Sequence, residues 1–460
     1  MKKYESFDLI IIGGGTAGVE VAFESTKLKK KTALIEPNFI GGICLNTGCI
    51  PTKTLLFSSH LYSEIRRAHD FGIDVPDARA DFQAIMKRAK SIVENSRKSV
   101  ELGLNNQYLK IFKEHAVFTG IRKVKVGDVE ILGKKVIIAA GSKPHVPPIP
   151  GLQDVDYLVG GTPNNSKEDI LNLEKFPGSL IIIGGGYIGF EFATFFSELG
   201  SKVTIIEGMD KVLGVVDDEI REVLLKKYVN NNFSILTDVK ISKVSQHENK
   251  VTVFFADKSG KDSSVSGDVI FIATGRVPSS FELHPDKTNV EVDEGGAIRV
   301  NANLETSCKG VYAVGDITGK FFFAHTAKRE GQIALLNAFG KKSKKFSTNA
   351  IPWAAFVDPP ISGVGITENK TETGILKAHF SRAARAGIMG EPEGLLKIWF
   401  DEKTKKILGA QMIGPNSDDL IGEFSTLINC GGTVDNLREI IHIHPTLSEV
   451  ADSLVEVKEK

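Results

Sequence analysis

The sequence predicts an α/β fold: two Rossmann-like dinucleotide-binding domains, the second inserted into the first, followed by a C-terminal α+β domain. Three observations carry that expectation. A strand, glycine turn, helix, strand and acid occur in that order twice, displaced by 171 positions without a gap. Two apolar strands that run into glycine and proline, at residues 136–151 and 268–278, bracket the second copy. The chain after residue 345 then changes character, with strand patterns such as LLKIWFD and ILGAQMIG and a helix near 417–430.

Residues 8–37, DLIIIGGGTAGVEVAFESTKLKKKTALIEP, form the first copy and end their second strand at Glu36. The spacing of Gly13, Gly15 and Gly18 supplies a tight turn, a close approach of backbone to pyrophosphate and close helix-to-strand packing. The helix N-terminus then faces the phosphates. Glu36 falls where a carboxylate accepts hydrogen bonds from a ribose hydroxyl. A GxGxxG alone is a weak signal, but here the strand before it, the helix after it and the acid at the right distance argue against an ordinary glycine turn. In residues 179–208, Gly184, Gly186, Gly189, Glu191, Leu199, Lys202 and Glu207 take the places of Gly13, Gly15, Gly18, Glu20, Leu28, Lys31 and Glu36. Glu207 would bond a free ribose 2′-hydroxyl and repel a 2′-phosphate, and no arginine stands beside it. The second unit is therefore expected to take NAD(H) rather than NADP(H).

Between the copies, residues 55–104 alternate charged and apolar residues at helical spacing and read as long surface helices, and short β-rich runs follow from Tyr108 to Ile138. The proline-rich exit VIIAAGSKPHVPPIPG marks a crossing between domains near residue 150, and DVIFIATGRVP marks the return. Beyond it, VYAVGDITG places Asp316 just past a buried strand, and a helical run leads to the lysine cluster 341–345, read as a solvated linker. The expected domains are 1–150 with 277–345, the inserted 151–276, and 346–460.

The stretch Gly41 to Lys53, GGICLNTGCIPTK, organises the chemistry. Cys44 and Cys49 are five residues apart. In a regular helix that separation is a rise of about 7.5 Å with the side chains on different faces, beyond disulfide reach. If the pair is bonded, the backbone is distorted here; Gly41, Gly42 and Gly48 provide the freedom and Pro51 stiffens the exit. A strained, accessible pair in a chain with only four cysteines suits thiol exchange better than stapling. Two unrelated reduced cysteines at a helix start would be the commoner state for an arbitrary pair, and the surrounding motif argues against it. Cys308 and Cys430 read as buried bystanders.

At 460 residues the chain is long enough for two to four domains. Lysine plus arginine and aspartate plus glutamate both number 57, and no basic patch interleaved with aromatics is present, which argues against nucleic acid. The apolar run Leu9 to Ile12 follows Glu5 and Asp8 and reads as a first strand rather than a signal peptide. No apolar stretch is long enough to span a membrane. With its few cysteines, the chain is expected to be soluble and cytoplasmic.

With both GxGxxG units, CxxxxC, ATG, GD and HPTLSE in this order, the sequence resembles the class I flavoprotein disulfide reductases over essentially its whole length. Among them it looks most like the dihydrolipoamide dehydrogenases. The resemblance implies a homodimer with an FAD domain in two pieces, an inserted NAD domain and a C-terminal dimerisation domain. It implies that Gly13, Gly15, Gly18 and Glu36 hold the ADP part of FAD and that Asp316 holds the ribityl chain. Cys49 would then be the thiol beside the flavin and Cys44 the one that exchanges with substrate. Lys53 would pair with Glu191 near flavin N5. Gly184, Gly186, Gly189, Glu207 and Gly275 would line the NAD site, with Tyr187 covering the nicotinamide pocket until the nucleotide arrives.

His444 and Glu449, in HPTLSE, match the family's catalytic dyad, with His444 reaching across the dimer to the other subunit's Cys44. The chemistry asks for such a base, because thiolate rather than thiol does the exchange. His442 could form a metal pair with His444 near the cysteines, but no third ligand is evident, so no metal is expected. The implied substrate is a small dithiol, possibly carried on a lipoyl domain of a 2-oxoacid dehydrogenase complex. The alternative is an NAD(P)H-dependent reductase of another disulfide or of a metal ion. Mercuric reductases share the core motifs but carry a C-terminal cysteine pair, whereas no cysteine follows Cys430 here. Glutathione-type relatives usually have basic residues where this chain has Glu207. Two departures from the dihydrolipoamide pattern are a short tail after HPTLSE and an aromatic residue at Tyr187.

Overall fold

Leu9 to Ile12 are almost wholly buried in the strand Glu5–Ile12, which explains why both of its faces are apolar: it lies in the middle of a sheet covered on both sides. The computed structural model describes residues 4–163, 166–228, 232–367 and 372–457. They fall into two units, the first made of residues 1–58, 76–177 and 269–346, the second of 59–75, 178–268 and 347–460.

In the first unit, Glu5–Ile12 pairs in parallel with Thr32–Ile35 on one side and Val129–Ile138 on the other, with Ile12 opposite Ile35 and Ile138. Leu109–Phe112 extends one edge in parallel, and Val311–Ala313 adds to Val129–Ile138. Lys123–Val126 and Ala116–Gly120 continue the sheet as antiparallel strands. The helices Thr16–Lys27 and Ala324–Phe339 pack together on one face, where a Cβ on Gly331 would sit 3.0 Å from Val21 and 3.1 Å from the Ala17 carbonyl. The expected helices between residues 55 and 104 are Cys49–Arg66 and Phe82–Gly103. The second buries Phe82, Met86, Ala89 and Val93 along one stripe and is capped by Asp81, which accepts the Ala84 N–H at 3.0 Å.

In the second unit, Ser179–Ile183, Lys202–Ile206 and Phe233–Leu236 repeat the parallel arrangement. The helix Tyr187–Glu198 is buried from Gly189 to Phe196. Lys240–His247, Lys250–Ala256 and Asp262–Gly267 form an antiparallel sheet. A six-stranded sheet runs Pro352–Ala355, Ile361–Gly365, Ile407–Ile413, Leu395–Asp401, Thr373–His379, Val455–Val457, with the helix Ser417–Cys430 behind it. Lys397, buried in the fourth of these strands, is held by Asp217 and Glu219, each at 2.8 Å.

Cys308 is buried as expected, but Cys430 is exposed. The buried stripe of its helix is Ser417, Ile421 and Phe424, and Cys430 falls off that stripe at the last turn. No helix among the described residues is long and apolar enough to cross a membrane.

Candidate active site

The cysteine stretch breaks its helix where the spacing demands it. Gly41 and Gly42 both have positive φ, +96° and +59°. A short helix Gly42–Asn46 follows, Thr47 and Gly48 interrupt it, and a new helix starts at Cys49. The Thr47 and Gly48 N–H groups both donate to the Ile43 carbonyl, at 2.9 and 2.7 Å, which folds the chain back and brings the sulfurs together. Thr47, wholly buried, donates from Oγ1 to the Thr162 carbonyl at 2.7 Å, and Asn46 Nδ2 donates to the carbonyls of Ile40 and Gly42. The structure carries Cys44 and Cys49 as thiols, both half-buried and in hydrogen-bond contact. That contact, then burial and the charge of Cys49, push the Cys44 pKa far up, against the opposing pull of Thr16 and Lys53. Lys53, half-buried one helical turn after Cys49, lies within electrostatic range of the pair.

The first glycine unit makes a cradle next to this loop. Gly13 takes φ +102°, and a Cβ on Gly18 would collide with the Gly13 carbonyl. Glu36 spends one oxygen on the Gly14 N–H at 2.7 Å and the other on the Asn38 N–H at 2.9 Å. Its carboxylate thus shapes the turn as well as standing ready for a ribose, and burial raises its pKa against those two bonds. Gly15 caps the following helix without a side-chain acceptor, so the first helical N–H groups remain for an anion.

Asp316, in the turn Gly315–Thr318, accepts a 2.5 Å hydrogen bond from Ser142 Oγ. Ser142 in turn accepts from Arg276 Nε at 2.8 Å, and Arg276 also donates to the carbonyls of Ser142, Gly160 and Gly161. Burial raises the Asp316 pKa, with Ser142 and Arg276 opposing. Glu330 accepts the Gly315 N–H at 2.6 Å, and burial pushes its pKa up to about 7. Gly275, in the same unit, has φ +104° with open space on its Cβ side.

In the second unit, Glu207 accepts from the N–H of Gly185 at 2.7 Å and of Met209 at 2.9 Å, the same scheme as Glu36. Gly184 has φ +106°, a Cβ on Gly189 would collide with the Gly184 carbonyl, and Gly186 caps its helix without a side-chain acceptor. Tyr187 stacks on Trp353 with ring centroids 5.4 Å apart and a tilt of 27°. Burial raises the Tyr187 pKa, so its hydroxyl stays neutral. Glu191 is buried and accepts the Phe356 N–H at 3.2 Å.

At the C-terminal end of the same unit, His444 is largely exposed, and its Nδ1 lies 2.8 Å from Glu449 Oε1. The other Glu449 oxygen accepts the Thr446 N–H at 2.7 Å, closing a capping box that fixes the carboxylate. The hydrogen bond from His444, then that from Thr446, lowers the Glu449 pKa. His442 is buried between Asp452, at 2.7 Å, and Glu423, at 3.3 Å. Burial disfavours its charged form, but the two carboxylates together outweigh it and raise its pKa. It therefore braces the loop rather than pairing with His444.

Residues 7–331 match the pyridine nucleotide-disulphide oxidoreductase family, and residues 351–455 match the dimerisation domain of the same family. The chain belongs to this family. It is 34% identical to a dihydrolipoyl dehydrogenase of Chlamydia pneumoniae, over 97% of this chain and 95% of that one. It is 31% identical to a mercuric reductase of Bacillus cereus, over 96% of this chain and 70% of that one. Among solved structures, the Cu(II) complex of the HOCl-induced flavoprotein disulfide reductase RclA from Escherichia coli superposes with a TM-score of 0.86, at 29% identity and 98% coverage of both chains.

As a pyridine nucleotide-disulphide oxidoreductase the chain uses FAD and NAD(H), and both cradles fit these groups. Each offers an uncapped helix N-terminus for a pyrophosphate and an acid fixed at the end of the second strand. Sequence reasoning singled out the glycines, acids, cysteines and the His444–Glu449 pair. It missed Ser142, Arg276, Glu330 and Trp353. Arg276 directly follows the ATG motif, which was the only local signal among them. The others are recognisable only by what the fold brings to them.

Proposed function

We propose that this family member passes an electron pair between dihydrolipoamide and NAD+, with Cys44 and Cys49 as the relay. The observation that carries this reading is the cysteine pair itself: two sulfurs in contact across a helix break. In the dithiol-oxidising direction, a substrate thiolate attacks the Cys44 sulfur of the disulfide, the Cys44–Cys49 bond breaks, and Cys49 leaves as thiolate. The substrate's second thiolate then displaces Cys44, which takes up a proton, and the substrate departs as a disulfide. His444, presented by a second copy of the chain in a homodimer, removes the substrate's proton and returns it, and Glu449 orients the imidazole. FAD, when bound, carries the electron pair onward to NAD+. Gly13, Gly15, Gly18, Glu36 and Asp316 would hold it, and Lys53 and Glu191 would tune its charge. Gly184, Gly186, Gly189, Glu207 and Gly275 would hold NAD(H), with Tyr187 over the nicotinamide site. This reading keeps the division into 1–150 with 277–345, 151–276 and 346–460, and a soluble, cytoplasmic enzyme that serves a free dithiol or a lipoyl domain.

The test is NADH formation with dihydrolipoamide and NAD+, run beside NADP+ and beside NADH oxidation with lipoamide, glutathione disulfide and metal ions. Rapid NAD+-specific turnover with dihydrolipoamide is the expected result. Lipoamide inert in both directions, with NADH still bleaching the flavin, would pass the substrate to the second reading, a reductase of another disulfide or a metal ion. That reading is supported by the likeness to the mercuric reductase and to RclA.

A further inference from the structure

Three side chains from distant parts of the sequence converge in the second unit, and the dithiol chemistry uses none of them. His60 comes from the helix Cys49–Arg66, Glu198 is the last residue of the helix Tyr187–Glu198, and Asp358 follows the strand Pro352–Ala355. One imidazole nitrogen and two carboxylate oxygens lie within 4.8 Å of one another. Both Glu198 oxygens are shut off from solvent with no hydrogen-bond partner among the described residues, although the Ser59 hydroxyl is near enough to favour the ionised form. A buried carboxyl group left in that state is costly unless something else satisfies it. Burial, with Asp358 and Glu64 adding to it, pushes its pKa up to about 8.

The neighbouring charges do not supply the missing partner. Glu64, Glu198, Asp358 and Glu391 face two cations, Lys227 and Arg67. Arg67 is already engaged with Glu64 at 2.9 Å and Glu391 at 2.8 Å, and Lys227 holds Asp358 Oδ2 at 2.7 Å. With Glu198 ionised, four carboxylates against two cations leave an excess of two negative charges. Lys227 takes one oxygen of Asp358, so the same carboxylate can bind an ion through the other. The Asp358 backbone is fixed, because its N–H donates to the Tyr228 hydroxyl at 3.0 Å and that hydroxyl lies 2.9 Å from Thr194 Oγ1.

We propose that His60, Glu198 and Asp358 form a binding site for one divalent first-row transition-metal ion. One imidazole and two carboxylates, with a fourth position open to water at the exposed His60 side, suit Zn2+. An ion bonded at about 2.0–2.2 Å would draw the three ligand atoms in from their present spread. It would satisfy Glu198 and cancel the charge excess, fastening three separate segments of the unit together.

The test uses FAD-loaded protein in a C44S/C49S background, so that the thiols of the redox pair cannot take the ion. The protein is titrated with Zn2+ against a competing chelator, and the metal and flavin retained after gel filtration are counted. One Zn2+ per chain is expected, with affinity falling at least about tenfold in both H60A and E198Q at unchanged flavin content. His60 is exposed, so H60A decides the matter even if E198Q does not fold. Failure to retain Zn2+, or retention at the same affinity in H60A, would overturn the proposal. Neither result depends on which dithiol or acceptor the enzyme turns over.

Discussion

The two dinucleotide cradles share their local construction and differ in what closes over them. In each, an acid accepts the N–H of the glycine 22 positions earlier at 2.7 Å. Around the first, Glu36 is buried, a Cβ on Gly14 would press on Glu36 and Ile40, and a Cβ on Gly42 would come within 2.6 Å of the Gly15 Cα. Around the second, Glu207 is only half-buried; a Cβ on Gly185 would press on Val212 at 2.5 Å, but a Cβ on Gly186 would meet nothing within 4 Å. The segment that presses on the first cradle is the one that carries the cysteines. One motif therefore yields a cradle whose acid is buried and whose Gly15 has a second segment packed against it, and another whose acid is half-buried and whose Gly186 faces open space. The packing around the motif makes the difference.

The largest effect is expected at the cysteines attached to the first cradle. C44S or C49S should lower dihydrolipoamide turnover by about 10^3-fold or more, while NADH-to-dye activity and the flavin spectrum persist. Wild-type dithiol turnover in either variant would remove the pair from the reaction. Next come the paired glycine variants, since each new side chain meets a backbone carbonyl that cannot move aside. Gly18→Val should purify without flavin. Gly189→Val should keep FAD but be reduced by NADH about 100-fold more slowly, a loss near 3 kcal/mol. If Gly189→Val also lost its flavin, the two sites would not be separable in the way their packing indicates.

Glu330 sharpens the contrast through pH. Its folded pKa of about 7 lies above the ordinary 4.5, so the folded chain keeps a proton that the unfolded chain releases. Its stabilising contribution is complete below pH 4.5 and lost as the pH rises through 7. Between pH 5 and 8 this amounts to on the order of 3 kcal/mol. Urea midpoints of E330Q, measured on flavin-free protein, should fall less over that interval than those of wild type; an identical slope would contradict the burial argument. At the second cradle, E207Q should raise the KM for NAD+ about tenfold, the value of one charged hydrogen bond, and narrow the preference over NADP+. An unchanged NAD+/NADP+ ratio would mean that Glu207 serves only its own turn. The smallest effect is expected for Trp353→Ala, which loses a stack worth about 1 kcal/mol and should change the KM for NADH only a few-fold.

Both cradles were legible in the sequence because a GxGxxG turn, its flanking strand and helix, and the acid all lie within about thirty residues, where chain geometry fixes their meeting. The same holds for the Cys44–Cys49 break and the Lys53 one turn beyond it, whereas the Thr446–Glu449 capping box that positions His444 is read from the structure. Cys430 was misjudged because its burial depends on which stripe of a helix meets the neighbouring sheet, and the stripe ends before it.

The sequence by itself therefore determined the family, the two cofactors and the order of the chemical groups, all of them encoded in short-range spacing. Tertiary structure alone decided how Arg276 reaches Asp316 through Ser142, where Trp353 lies on Tyr187, and that His60, Glu198 and Asp358 share one point in space. Those meetings join residues 134 to 298 positions apart on different elements. No local spacing constrains such contacts; they exist because packing the sheets and helices brings those side chains together.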